Sequence, residues 1–335
     1  MNIQASIGAA LRLSPARQGI LTALMMAAAV LNASVAHGAY PEKAIQVIVP
    51  YSPGGATDAL ARTIGQKVSD SLNQPVVIDN RPGGSGITGM AAAARAPADG
   101  YTILFVAVSD MAISAAAFQS QPVHLIRHFA PVAGVATAPH ILVVPASVPA
   151  QSLAELIRYL KADPGKYNYA SNTWLSHVES ELFKLVAGVD MVHVPYKGGP
   201  QAVVDLISGR TSMMFLSSPA AVPHMKSGKL RVLAVASNRR LASLPNVPTV
   251  EESGVQGFDA NNLFGFVSVK GTPGAAITVL SRSIAAALTV PDLIQRLEIQ
   301  GLDMKYSSPE EFGRMIEQDF RAFETIVKKA NVKLD

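Results

Sequence analysis

The strongest constraint on the fold is an alternation between short apolar runs and segments with helical spacing. Runs such as residues 45–50 and 101–108 lack polar alternation, which is typical of strands buried on both faces. Between them lie segments such as residues 57–72, whose apolar residues recur with the period of an α-helix. This order predicts an α/β protein with helices covering parallel sheets. The predicted strands cover residues 45–50, 76–79, 101–108, 140–145, 167–170, 191–195, 212–215, 231–236 and 263–269.

Two of these strands, at 140–145 and 263–269, flank a central block of several strand and helix units. The pattern indicates a second lobe inserted into a discontinuous first lobe through two crossing strands. The predicted boundaries are residues 40–139 and 264–335 for the first lobe and residues 140–263 for the second. Two crossing strands form a hinge, and a hinge between two α/β lobes leaves a cleft.

The N-terminus has the pattern of a secretory signal peptide covering residues 1–36. Arg12 and Arg17 precede an uncharged run, and the small residues after it end in Ser34-Val35-Ala36, where cleavage is expected. The run is too short for a transmembrane helix. This N-terminal segment contains no twin-arginine pair, which favours export in the unfolded state without a bound cofactor.

Composition narrows the function classes. The formal net charge of +4 is spread along the chain, which argues against nucleic acid as a partner. Cysteine is absent, so no disulfide, thiolate metal site or cysteine nucleophile can form. The histidines lack metal-ligand spacing, and the common hydrolase, zinc-protease and phosphate-loop signatures are missing. We therefore expect no metal, no cofactor and no catalytic residues.

The most informative loop is YSPGGATD, residues 51–58, between the first strand and the first helix. Its glycines permit a tight turn with unobstructed amides, and Thr57 or Asp58 can cap the helix. A helix N-terminus after the carboxyl end of a strand is a ready anion site. A capped turn without ligand is the alternative. Asp58 would repel a carboxylate unless it contacts the ligand through water, a hydroxyl or an amine.

A second loop of similar build is ASNTWLSH, residues 170–177. Its hydroxyl and amide side chains can contact a ligand near another helix N-terminus. Ser176 with Glu179 has the spacing of a capping box, as do Ser152 with Glu155 and Ser308 with Glu311. His177 is either a ligand contact or structural, and Trp174 either lines an apolar pocket or covers the hinge. In a third segment, residues 194–200, Tyr196 can close over a ligand, while Lys197 is either an anion contact or a solvated charge.

A rival signal is the G-x-G-x-x-G sequence from Gly84 to Gly89, with Asp110 at the distance of a ribose-binding acid. Taken alone it indicates dinucleotide binding. Residues 80–83 separate it from the preceding strand, however, and it does not follow the first strand of its domain. A tight turn and close packing of a small-residue helix are the favoured interpretation.

Several blocks in a fixed order carry a family resemblance, among them YPEKAIQVIVPYSPGGATDALAR, QPVVIDNRPGGSG, ADGYTILF, MVHVPYKGGPQAVVDLISG and LPNVPTVEESG. They resemble the Bug family, the extracytoplasmic solute receptors of tripartite tricarboxylate transporters. The resemblance implies a periplasmic binding protein of type II fold, with two α/β lobes closing on a ligand. It implies a periplasmic location, a small organic carboxylate as ligand and membrane permease subunits as partners. We expect a monomer.

The same resemblance implies that backbone amides, hydroxyls and water grip the carboxylate between the first two loops. The expected ligand-binding residues are Ser52, Gly54, Gly55, Thr57, Asp58, Ser171, Asn172, Trp174, Ser176, His177 and Tyr196. Met111, Leu216 and Leu263 replace a histidine, an aspartate and a tryptophan that are frequent in the family, which favours an aromatic or amphipathic acid. The alternatives are a sensor for a membrane kinase and an exported enzyme using Asp58 with His177.

Overall fold

The computed structural model describes residues 40–118, 121–256, 258 and 261–330. The predicted signal peptide lies outside these residues. The chain from Pro41 onward belongs to one compact unit. Within the described residues, no single helix is long and apolar enough to cross a membrane, although the bent pair Gly274–Ala287 and Pro291–Glu298 meets those criteria together.

Strands and helices alternate as the sequence predicts. The strands are β1 Ile45–Val49, β2 Val76–Asn80, β3 Thr102–Ala107, β4 Phe129–Pro145, β5 Asn168–Ser171, β6 Val192–Pro195, β7 Met213–Ser217, β8 Leu230–Val235, β9 Asn261–Val269 and β10 Asp303–Ser307. The helices are α1 Ala56–Leu72, α2 Ile87–Ala94, α3 Val108–Ala117, α4 Leu125–His128, α5 Leu153–Ala162, α6 Trp174–Ala187, α7 Gly199–Ile207, α8 Ser218–Lys226, α9 Gly274–Ala287, α10 Pro291–Glu298 and α11 Pro309–Ala330.

The strands of the described chain pair in the order β2-β1-β3-β9-β4-β7-β5-β6, with β8 and β10 also paired to β4. The outer strands are parallel, β1 with β2 and β3, and β5 with β6 and β7. The central strands β4 and β9 run antiparallel to their neighbours. The prediction of parallel sheets therefore holds for the outer strands and is wrong for the centre.

Strand β4 connects the two sets of strands and is longer than predicted. Its first half contains Pro131, Gly134 and Pro139, which are loop signals in a sequence. The ladder with β9 accommodates this half through register shifts between Pro131 and Ala133 and after Gly134. Residues up to Pro139 pair with β9, whereas the residues from His140 pair with β7 and β8. Strand β10, with a polar sequence, was also not predicted.

Two predicted helix caps are confirmed and one is wrong. The hydroxyls of Ser152 and Ser308 each accept a hydrogen bond from the amide three residues later. Helix α6 instead begins one turn before the predicted cap, because Thr173 and Ser176 form a reciprocal capping box. Ser176 is thus the third residue of the helix, and Glu179 is buried within it.

Candidate functional site

A cavity of about 450 Å³ lies where several helix N-termini converge. The starts of α1, α7 and α8 line it, together with side chains from β4 and β9. Apolar residues of α7, including Val203 and Ile207, form one wall with Leu216 and Phe264. Five of the predicted site residues line this cavity, namely Ser52, Gly54, Gly55, Thr57 and Asn172.

The N-terminus of α1 presents unpaired amides to the cavity. Gly55 is the N-cap residue and, lacking a side chain, provides no capping hydrogen bond. The amides of Ala56 and Thr57, in the first turn, have no intrahelical acceptor. Both residues line the cavity. The helix dipole adds positive potential at the same point.

Asp58 holds this loop in place. Its carboxylate accepts hydrogen bonds from the Gly54 amide at 2.9 Å and from Asn80 at 2.9 Å, and it pairs with Arg62 at 3.0 Å. Burial raises the pKa of Asp58, but the bonds from Arg62, Gly54 and Asn80 outweigh it, so the pKa lies below its usual value. Asp58 does not line the cavity, and Arg62 offsets its charge.

Helix α7 offers a second uncapped N-terminus. Its N-cap residue is Gly198, again without a capping side chain, and Lys197 to Pro200 line the cavity. A Cβ at Gly198 would lie only 2.8 Å from Ser52 Oγ, so the loops from the two predicted lobes are in close contact. Tyr196 lies outside the cavity lining, where its hydroxyl donates a hydrogen bond to Asp205 at 2.9 Å.

The predicted second loop is largely occupied by its own hydrogen bonds. The Ser176 hydroxyl accepts from the amides of Asn172 and Thr173, and the Ser176 amide donates to Thr173 Oγ1. Ser171 Oγ lies 2.7 Å from His193 Nε2. Trp174 packs against Phe118, with ring centroids 5.6 Å apart. Thr173 and Asn172 face the cavity, whereas Ser171, Trp174 and Ser176 do not line it.

His177 stacks on His193, with ring centroids 4.0 Å apart, and its Nδ1 lies 2.9 Å from the Tyr169 hydroxyl. Burial and the charge of His177 lower the pKa of His193 to about 4. His177 is thus placed in a polar cluster outside the cavity lining, whereas Asp58 lies at the start of α1. Within the described residues, no group of three histidine, aspartate or glutamate side chains has the arrangement of a metal site.

The structure adds a buried charged cluster that the sequence reasoning missed. Asp110 and His140 line the cavity, and His140 Nδ1 lies 2.6 Å from Glu179 Oε2. Burial raises the pKa of Asp110 and of Glu179, while the neighbouring carboxylates, chiefly Glu179, outweigh burial and raise the pKa of His140. In the sequence, Asp110 follows one apolar run and His140 begins another, but nothing local shows that the two side chains share a cavity.

The glycine-rich signal belongs to the packing around this cavity. Gly84 and Gly86 have positive φ angles of 52° and 103° in a short turn before α2. A Cβ at Gly89 would lie 2.7 Å from Pro50 Cα, so this glycine permits close contact between α2 and the end of β1. The turn and the close approach account for all three glycines, as the favoured interpretation expects.

Comparisons with known proteins find a family model and related proteins that cover most of the chain. The family model described as "Tripartite tricarboxylate transporter family receptor" matches residues 60–332. Protein BugT of Bordetella pertussis is 35% identical over 93% of this chain and 96% of its own. The structure of R. palustris Rpa4515 with adipate is 32% identical with a TM-score of 0.84, covering 87% of this chain and 98% of that one.

The structure of MatC from Rhodopseudomonas palustris with bound malate is 26% identical, with a TM-score of 0.81, and covers 86% of this chain and all of that one. Solved periplasmic binding proteins superpose over most of the chain. The predicted fold class, a periplasmic binding protein, is therefore confirmed.

Proposed function

The chain belongs to the receptor family of tripartite tricarboxylate transporters, and from this premise we propose that it captures a small organic carboxylate in the cavity and delivers it to membrane permease subunits. The family consists of periplasmic solute-binding receptors, so the working location is the periplasm. The proposal includes export with cleavage near Ala36, a monomeric receptor, and binding without chemical change of the ligand.

The observation that carries the proposal is the pair of uncapped helix N-termini facing one cavity. Helices α1 and α7 begin at Gly55 and Gly198, and neither has a capping side chain. Unpaired amides and helix dipoles attract an anion without a buried cation. Lys197 adds an exposed positive charge at the cavity rim. A carboxylate held between α1 and α7 would satisfy both helices together.

Such a ligand would also join the two lobes, for which we propose residues 40–139 with 264–335 and residues 140–263. The strand-pairing change in β4 at His140 supports this division. Because one anion would contact helices from both lobes, it would bind the closed form more tightly than the open form. The adipate and malate bound to the two related structures are carboxylates, which supports the ligand class.

The experiment compares two substitutions at Gly55. The φ of −80° accepts any residue, and a Cβ would meet only Ser52 O, at 3.5 Å. Gly55→Asp would cap the helix with its own carboxylate, an exchange from a tolerated to a strongly favoured N-cap residue. Mass spectrometry of the purified protein identifies the acids to be tested, and isothermal titration calorimetry measures their affinity. We expect the affinity of Gly55→Asp for these carboxylates to fall at least about tenfold, with no loss of thermal stability.

Gly55→Ala is the matched control, since it adds the same Cβ without charge and leaves the amides unpaired. We expect it to bind within a few-fold of the native protein. Equal binding by Gly55→Asp and Gly55→Ala would show that the α1 N-terminus does not hold the anion. Failure of every tested organic acid to bind the ligand-free native protein would overturn the proposed function as a whole.

A further inference from the structure

The carboxylate of Asp110 lies at the N-terminus of α6, the helix end that the sequence analysis expects to contact the ligand. The residue belongs to α3 in the predicted first lobe, is 1% exposed and lines the cavity. Its Oδ1 accepts a hydrogen bond from the Leu175 amide of α6 at 2.9 Å, and its Oδ2 accepts one from the Tyr51 hydroxyl at 3.1 Å. Both partners donate, which suits an ionised carboxylate.

This contact changes what the N-terminus of α6 can bind. The amides of Thr173, Leu175 and Ser176 all have acceptors within the protein. An incoming carboxylate would have to displace Asp110 from the Leu175 amide. The anion-binding capacity of the cavity therefore remains at α1 and α7, and the α6 end is already neutralised by a charge of the protein itself.

One buried imidazole, that of His140, stands against two buried carboxylates, those of Asp110 and Glu179. Within the described residues, no lysine or arginine forms an ion pair with Asp110, and the nearby His140 is bonded to Glu179 at 2.6 Å. Glu179 is 3% exposed, and its second oxygen has no hydrogen-bond partner. Asp110 and His140 form the floor of the cavity, and Glu179 bonds to His140 without lining the cavity. Two carboxylates against one imidazole leave net negative charge even when the imidazole is protonated. A second negative charge on the ligand would meet net negative charge in a place with little water to screen it.

We propose that Asp110 is a specificity-determining residue that restricts the receptor to acids with a single carboxylate and an uncharged remainder. This inference rests on the proposed function and names the substrate class of the same site. The ligand carboxylate binds at α1 and α7, and the uncharged remainder lies between the floor and the apolar wall of α7 and Leu216. The relatives bound to adipate and malate hold acids with two carboxylates, so this chain differs from them in ligand charge.

The test uses adipate, its monoamide and hexanoate, which share a six-carbon chain. Adipate and the monoamide differ in the second charge and hardly in shape. We expect calorimetry at pH 7 to give the native protein at least about tenfold higher affinity for the monoamide than for adipate, with hexanoate also above adipate. Adipate binding as tightly as the monoamide, or more tightly, would overturn the inference while leaving the proposed function intact. Binding of none of the three would also overturn the inference, whereas the proposed function fails only if the acids identified by mass spectrometry do not bind either.

Asp110→Asn separates charge selection from a structural role. The amide keeps the size of the side chain, and it can accept from Leu175 and donate to Tyr51. We expect the affinity ratio of monoamide to adipate to fall to within about threefold. Asp70→Asn, at an exposed position of α1, is the control and should keep the native ratio. If Asp110→Asn weakens both ligands equally, Asp110 only supports the fold and the inference is wrong. The comparison within the native protein decides the matter even if this variant fails to fold.

Discussion

The tight packing of Gly89 beside the cavity allows a quantitative prediction of how a substitution changes the free energy of unfolding. It lies in α2, and a Cβ there would be 2.7 Å from Pro50 Cα and 2.9 Å from the Arg81 carbonyl oxygen. Both contacts are to backbone atoms, which cannot rotate away as a side chain would. Gly89→Ala must therefore move α2 away from the end of β1, or distort both.

Two effects of opposite sign determine the result. Alanine favours a helix over glycine by about 0.5–1 kcal/mol. Overpacking of a tight contact costs about 1–3 kcal/mol, and contacts to backbone atoms favour the upper end of that range. The expected net loss in the free energy of unfolding is thus about 2 kcal/mol. For a chain of this size, that corresponds to a melting temperature lower by roughly 3 °C.

Chemical denaturation and differential scanning calorimetry of the purified protein measure both quantities. Gly274→Ala is the matched control, because Gly274 begins α9 and a Cβ there meets no atom within 4 Å. We expect the control to be as stable as the native protein or slightly more stable. A Gly89→Ala variant as stable as the control would refute the packing explanation of this glycine, since helix propensity alone would then decide the outcome.

Two further predictions concern buried titratable groups. Burial and the charge of His177 lower the pKa of His193 from 6.5 to about 4, so the folded state favours the neutral ring. The neutral ring's contribution to stability is therefore complete above pH 6.5 and is lost as the pH falls towards 4. We expect His193→Asn to remove about 1–2 kcal/mol of the acid destabilisation in thermal scans from pH 7.5 to 4.5. This figure is smaller than the full pKa shift would give, because the ring is partly exposed to solvent. A pH profile equal to that of the native protein would contradict the prediction. Glu179→Gln should cost about 3 kcal/mol in urea unfolding at pH 6, because it removes one charge of the buried pair with His140; an unchanged midpoint would argue against a charged pair.

Local sequence patterns determined the elements and their order. Continuous apolar runs predicted nine of the strands because a buried strand needs no polar alternation, and Ser152 and Ser308 predicted caps because a cap depends on residues three positions apart. The first loop lies between β1 and α1 as predicted, since Gly54 and Gly55 control the backbone of their own turn, and its role in ligand binding stays a prediction. The first half of β4 was missed because proline and glycine disfavour a strand locally, whereas pairing with β9 on one side stabilises it.

The tertiary structure decided which polar groups remain for a ligand. The capping box that starts α6 at Trp174 and the Asp110 contact to Leu175 together occupy the second predicted loop. Asp110 and Leu175 are 65 positions apart, and His140 and Glu179 are 39 apart. A local pattern contains no information about such pairs, because their interaction energy arises only after packing removes water and brings the charges together. The sequence by itself determined an α/β receptor fold and predicted an anion-binding loop. Only the packed structure decided which charges surround the cavity, because those charges come together only on folding.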